Sequence, residues 1–427
     1  MAGLTKSRDP TKEYSTDNWK AANLIELISP RRFPVRNLRL RCLSAIPLVL
    51  ALSAARAADS TALARLTVAE LVQSLAGAAG ESDATTTKRL QGFELTERLS
   101  PELQDRLAAK LPGEKSRQQL AILAGYAAFL APPASEIPTD PSPSPEEASQ
   151  ILSKVVNYIA KTTRQLPNFL ATREVTSFED RPQENRLTPD GAISLSAQPM
   201  HYMGRSSNGI TFRDNQETVD NKSSKSSQGS PGLLTSGEFG PILATVVRDA
   251  ALNGKIQWAR WQRGPAGTEA VFRFEVPDGK SNYHVRFCCT SASVDGRGEL
   301  FDEKEPYHGE IVANPADGSV ISILVRADLQ PTELVSAAGM VVDYGPVDLG
   351  GKNYICPKRS YSLLSAHLMQ QGDTQSRSSY KGAPTTFLNR TEFTGYRRFG
   401  AEARILSDSL PDASSDHNPT QRESRMH

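Results

Sequence analysis

Between Pro132 and Pro145 the chain places six prolines, at 132, 133, 138, 141, 143 and 145, several alternating with serine. Proline fixes φ, offers no N–H to a helix or sheet and pushes its predecessor into extended backbone, so no regular element survives that density. The segment is a semi-stiff linker, and it separates two parts of different periodicity. Residues 58–131 precede it as a helical domain, 132–146 are the linker, and 147–405 follow as a helix plus an antiparallel β-domain. The expected class is α+β: a small N-terminal helical unit, then a curved, largely antiparallel sheet packed on one or two helices.

Upstream of the linker the apolar spacing is helical. Thr67-Val68-Ala69-Glu70 has the form of a capping box, in which the cap hydroxyl and the glutamate three residues on satisfy each other's orphan N–H groups. It opens a helix with Leu71, Val72 and Leu75 on one side, closed by Gly77 and Gly80. A second helix is expected through Arg89, Leu90, Phe93, Leu95 and Leu99. Ser100-Pro101-Glu102 starts a third, with proline at the first helical position, where its missing N–H is not needed. The fourth, Ser116 to Leu130, is apolar almost all round and belongs at the centre of a four-helix unit.

Downstream, Glu146–Gln165 reads as one more amphipathic helix, and beyond Pro167 the period turns to two. Strands are expected at Phe169–Phe178, within His201–Asp220, and in succession from Lys255 to Leu364, with more in Phe387–Ile405. Phe239, Ile242, Leu243, Val246 and Ala250 mark a helix among them, stopped by Asn253-Gly254. So many successive strands imply antiparallel pairing. Asn221–Gly232 and the tail 406–427 are too poor in apolar residues to order themselves.

Charge excludes some function classes. Lys+Arg number 49 against 48 Asp+Glu, a net charge of +1, without the basic excess of a nucleic-acid or polybasic membrane-surface binder. The front of the chain carries an address. Residues 1–36 are polar and basic, and Asn37-Leu38-Arg39-Leu40-Arg41 leads into the apolar run Cys42–Ala54, shorter than the about 20 residues that span a bilayer. Ala55-Arg56-Ala57 follows, small-x-small. This is the pattern of a secretory signal peptide cleaved after Ala57, so residues 1–57 are expected to be a basic leader and signal peptide. Its basic region is far longer than usual, and the simplest account is a start codon assigned too early, with 1–35 untranslated. No second run of spanning length follows, so a periplasmic or secreted product with no transmembrane anchor is expected.

Three cysteines remain beyond the leader: Cys288, Cys289 and Cys356. An oxidising compartment favours pairing, and an odd number leaves one thiol over. A bridge from Cys288 or Cys289 to Cys356 is the expected one; a vicinal 288–289 bridge closes a strained ring. Metal-ligand spacings are missing around His284, His308 and Cys288, and so are a nucleophile elbow, a phosphate-binding loop and a dinucleotide fingerprint. No catalytic, cofactor or metal residue is therefore assigned. Trp258 and Trp261 alternate with Arg260 and Arg263; in a regular strand the indoles fall on opposite faces, and at least one packs in the core.

The C-terminal run Tyr307-His308-Gly309-Glu310-Ile311-Val312, the Asn314-Pro315-Ala316-Asp317-Gly318 turn, and Val341-Val342-Asp343-Tyr344-Gly345-Pro346 leading to Tyr354-Ile355-Cys356-Pro357 resemble uncharacterised exported proteins of acidobacteria. So does Phe93-Glu94-Leu95-Thr96-Glu97-Arg98-Leu99-Ser100; that resemblance implies no activity or site residues. Residues 239–364 are also similar, through generic turn chemistry, to the lipoprotein-carrier half-barrels of the periplasm, which implies a curved sheet around a helix sheltering an acyl chain. The expected function is a non-enzymatic binding or scaffold protein whose concave sheet holds an apolar small molecule or a segment of an envelope protein. The alternative is a hydrolase-type enzyme assembled from dispersed residues, His284 and His308 with acidic neighbours, which requires the two imidazoles to meet. The helical unit could also serve as an interaction module.

Overall fold

A computed structural model describes residues 63–399, apart from 182, 186–193, 197–198, 215, 221–231, 234–237, 239–240, 266, 293–297, 331–333 and 372–378. The expected leader, with the expected cleavage after Ala57, and the tail 406–427 lie outside the described residues.

The N-terminal unit runs β1 (Ala64–Leu66), α1 (Val68–Ser74), α2 (Asp83–Gln91), β2 (Phe93–Leu95), α3 (Pro101–Ala108) and α4 (Glu114–Ala127). The Thr67–Glu70 capping box is formed in full. The second helix ends earlier than its apolar spacing predicts. Gly92 stops α2, and Phe93–Leu95 pairs in parallel with Ala64–Leu66, because the extended backbone there gains hydrogen bonds from β1. Across the linker, which holds one short helical turn at Ala134–Glu136, Ser144 and Glu147 form a second capping box that opens α5 (Pro145–Gln165).

The strands follow: β3 (Phe169–Glu179), β4 (Gln183–Asn185), β5 (Ser194–Ser196), β6 (His201–Arg213), β7 (Gln216–Asp220) and β8 (Gly232–Leu233). After α6 (Pro241–Leu252) come β9 (Lys255–Gly264), β10 (Gly267–Val276), β11 (His284–Ala292), β12 (Gly298–Lys304) and β13 (Tyr307–Ala313). The chain ends in β14 (Val320–Ala327), β15 (Val335–Asp348), β16 (Asn353–Gln371) and β17 (Ser379–Arg398). Ten strands form one curved, open, antiparallel path in the order β7-β6-β3-β17-β16-β15-β14-β13-β10-β9.

Each face of this sheet has its own cover. The inner face carries α5 and α6, whose Val155, Ile159, Val246 and Val247 pack on Phe272, Phe274, Ile311, Ile323 and Val342. The outer face carries the N-terminal unit: Leu120, Leu123 and Ala127 share one cluster with Val341, Tyr361 and Leu388. Gly125 makes that contact possible, since a Cβ there would stand 2.7 Å from the Leu388 methyl group, closer than van der Waals contact allows. The aromatic expectation needs correcting. Register slips between Val271 and Phe272, so Trp261 faces Ala270 while Trp258 faces Phe272. The bulge puts both indoles on the inner side, in edge contact at 4.5 Å.

Candidate functional site

The inner face is not one continuous apolar core. Beyond the α5/α6 cluster, a second cluster gathers Phe169, Ile210, Phe212, Cys356 and Phe393, and a third gathers Leu364, Ala366 and Phe387 under Val285 and Phe287 of β11. Between them lies a polar floor. Ser360 and Ser362 of β16 stand in register with Thr391 and Asn389 of β17, and these in turn with Val175 and Ser177 of β3. Every second residue shares a face, so the four side chains form one patch.

Two residues, Leu233 and Glu238, stand over the patch as a strap. Asn389 Nδ2 donates to the Leu233 carbonyl at 2.9 Å, and Arg173 Nη2 donates to Glu238 Oε1 at 3.3 Å. Tyr344 Oη donates to the Glu238 carbonyl at 3.1 Å. Glu238 is thus held from β3 on one side and β15 on the other, spanning the two strands that carry the hydroxyls. The carboxylate is 0% exposed.

The strap belongs to a lid. β8 pairs with β11, and β11 with β12, but among the described residues this unit joins the ladders of the ten-strand path through one bridge, Ser291 to Met369. Apart from the polar contacts of Leu233 and Glu238, its hold on the sheet is apolar: Val285, Phe287 and Phe301 lie against Val335, Leu364 and Phe387, with the Phe287 and Phe387 rings 5.0 Å apart. On the lid's outer side, His284 Nδ1 pairs with Asp302 Oδ1 at 2.8 Å and Arg286 Nε donates to Asp302 Oδ2 at 3.0 Å. These contacts stitch β11 to β12, so the hairpin holds its own shape.

That placement decides against a dispersed hydrolase site at the two histidines. His284 faces away from the sheet, on the lid's outer side. His308 stands in register with Arg326, whose guanidinium covers the Phe129 ring on the outer face of the sheet, and pairs with Asp328 at 2.6 Å. The imidazoles occupy opposite sides of the molecule, each with its own carboxylate. Among the described residues no three His, Cys, Asp or Glu side chains gather as a metal ion would require.

The expected bridge to Cys356 is also corrected. Cys356 is a free, buried thiol among Phe169, Phe393 and Tyr354, and burial pushes its pKa up to about 12. β11 meets β16 at Met369, so the backbone of Cys288 and Cys289 lies on the order of 30 Å along the strand from Cys356. A disulfide spans at most about 7 Å between Cα atoms.

The outer face carries a different arrangement, a cluster of carboxyl groups under the helical unit. Arg98 Nη2 donates to Gln262 Oε1 at 2.8 Å, and Gln262 Nε2 donates to Glu269 Oε2 at 3.3 Å. Glu269 is 3% exposed; burial pushes its pKa up to about 7, against the pull of Arg98 and with Glu102 and Glu136 adding to the rise. Asp343, beside Arg359, is pushed up to about 6 in the same way. Both groups bind their proton more tightly folded than unfolded, so their stabilisation is complete below about pH 4 and is lost as pH rises towards 7. Glu269→Gln removes one of these protonations. The thermal midpoint of the variant is expected to match the parent near pH 4 and exceed it at pH 8; equal midpoints at both pH values would show that Glu269 is hydrated.

The sequence singled out none of the floor residues. Ser360 and Ser362 alternate with Arg359, Tyr361 and Leu363, which reads as a strand with its serines in water, whereas both faces are covered. Thr391 and Arg173 become their neighbours only through long-range pairing.

Among the described residues no helix is long and apolar enough to cross a membrane, which says nothing of strands. No family model matches the chain. No curated protein matches it. It is similar to a solved DUF1329 family protein from Desulfovibrio piger at 6% identity, covering 63% of this chain and 96% of that one, with a TM-score of 0.25. A putative outer membrane lipoprotein-sorting protein domain from Vibrio parahaemolyticus is 9% identical, over 59% of this chain and 92% of that one, with a TM-score of 0.24. A LolA superfamily protein from Nitrosomonas europaea is 10% identical, over 61% and 97%, also at 0.24. Overlaps this loose carry no argument about the chemistry of this chain.

Proposed function

We propose that this chain is a non-enzymatic binding protein, exported by its leader, that holds an apolar small molecule between the inner face of the sheet and the β8–β11–β12 lid. One observation carries the reading. The β11–β12 hairpin of the lid meets the sheet through apolar side chains and, among the described residues, a single backbone bridge, so separating the hairpin from the sheet breaks little hydrogen bonding and exposes apolar surface on both sides. Such surface is costly in water, and an apolar chain inserted there covers it again. An extended apolar segment of an envelope protein meets the same chemical requirement.

Native mass spectrometry of protein purified from an exported fraction, with titration of the stripped protein by cis-parinaric acid, tests this. A co-purifying small mass lost on denaturation and a saturable fluorescence rise displaced by lauric acid are the expected results. A bare chain with no saturable signal sinks the reading.

A further inference from the structure

The floor beneath the strap holds polar atoms with nothing to bond. Ser360 Oγ, Ser362 Oγ, Thr391 Oγ1 and Glu238 Oε2 are buried and have no hydrogen-bond partner among the described residues. Their residues are 0%, 2%, 0% and 0% exposed. Buried polar groups are as a rule satisfied, and each that is not costs stability. Four on one patch, under one strap, is a concentration that packing alone does not explain.

We infer that this patch is a polar subsite for an uncharged, hydroxyl-bearing head group, with the apolar remainder of the ligand lying under the lid; the inference rests on the binding role proposed above. The donor and acceptor inventory sets the class. Each hydroxyl donates one hydrogen bond and accepts others, whereas the free Glu238 oxygen only accepts. A polyol presents both donors and acceptors to that set. The subsite has no net charge to offer, because Arg173 is already bonded to Glu238. A carboxylate or phosphate would give up its hydration, meet no free cation among the described residues and face the Glu238 oxygen, which is the costly case.

Calorimetric titration of the stripped protein with 1-monolauroylglycerol and with laurate compares one chain length under two head groups. The glyceride is expected to bind at least ten-fold more tightly. In the isosteric variant Ser360→Ala/Ser362→Ala/Thr391→Val, that preference should collapse to within two-fold while laurate affinity holds. The thermal midpoint of the variant should not fall, since no formed hydrogen bond is removed. If the triple variant does not fold, Ser362→Ala alone should lose part of the preference. Equal binding of both amphiphiles by the parent, or an undiminished preference in the variants, overturns the subsite and leaves the binding role standing. If neither amphiphile binds, the binding role itself falls and the subsite with it.

Discussion

Arg173→Leu is expected to cost about 3–5 kcal/mol in urea unfolding, because it leaves the Glu238 carboxylate buried without its countercharge. The ion pair spans 3.3 Å, with the arginine side chain 10% exposed and the glutamate side chain 0%. No solvent reaches the carboxylate, so the charge left behind must take up a proton or pull the strap away from the sheet. The same physics predicts that Arg173→Leu/Glu238→Leu recovers most of the loss. Desolvating both ions consumes much of what their attraction returns, and well-packed apolar replacements of buried pairs are often neutral or better. A double variant within about 1 kcal/mol of the parent, beside a crippled single variant, identifies the pair as a positioning device for the strap. A single variant that loses less than about 1 kcal/mol would mean that water reaches Glu238 and that the strap is not clamped at that end.

Glu238 also shows where sequence reasoning stops. The helical unit was legible because its signals are local: the Thr67–Glu70 box, Pro101 at a helix start and the apolar run of α4 each act within one or two turns. Strand positions were legible for the same reason, period two being a property of a few consecutive residues. The floor was not, since Ser360 meets Thr391, Arg173 meets Glu238, and Tyr344 meets Glu238 only after the sheet has closed those long loops. Gly232 falls in a run, Asn221–Gly232, that reads as too poor in apolar residues to order itself, because its partner β11 is supplied from far along the chain. The Trp258–Trp261 pair failed differently. Alternation predicts opposite faces for an odd separation, and one bulge in β9 reverses that parity without any mark in composition. The cysteines failed through register: two strands of one domain need not bring their sulfurs level, and here β11 and β16 touch only near Met369.

Phe287→Ala is expected to remove about 3–5 kcal/mol of packing, the usual cost of deleting a buried phenyl ring, and the place where that loss appears decides how a ligand enters. Phe287 is fully buried against Phe387, between the lid and the inner face. If lid and sheet open separately, hydrogen exchange at amides of 284–292 and 298–304 should accelerate by two or more orders of magnitude in the variant, at about 1.4 kcal/mol per tenfold. The amides of β13 to β16 between Tyr307 and Leu364 should keep their protection, because their ladders run through the continuous sheet and not through the hairpin. The His284–Asp302–Arg286 stitch lies on the lid's outer side, so the hairpin should open as a unit without fraying strand by strand. Acceleration spread evenly over the sheet would make lid and sheet one cooperative body, closed to any ligand short of global unfolding. Confined acceleration would instead locate the entry under β11, where the bridge at Ser291 and the Leu233 pairing are the only backbone bonds among the described residues that tie the hairpin to its surroundings beyond the turn into β13. An apolar ligand added to the parent should then slow exchange in those hairpin amides and leave the rest of the sheet unchanged, because it restores the packing that opening the lid gives up.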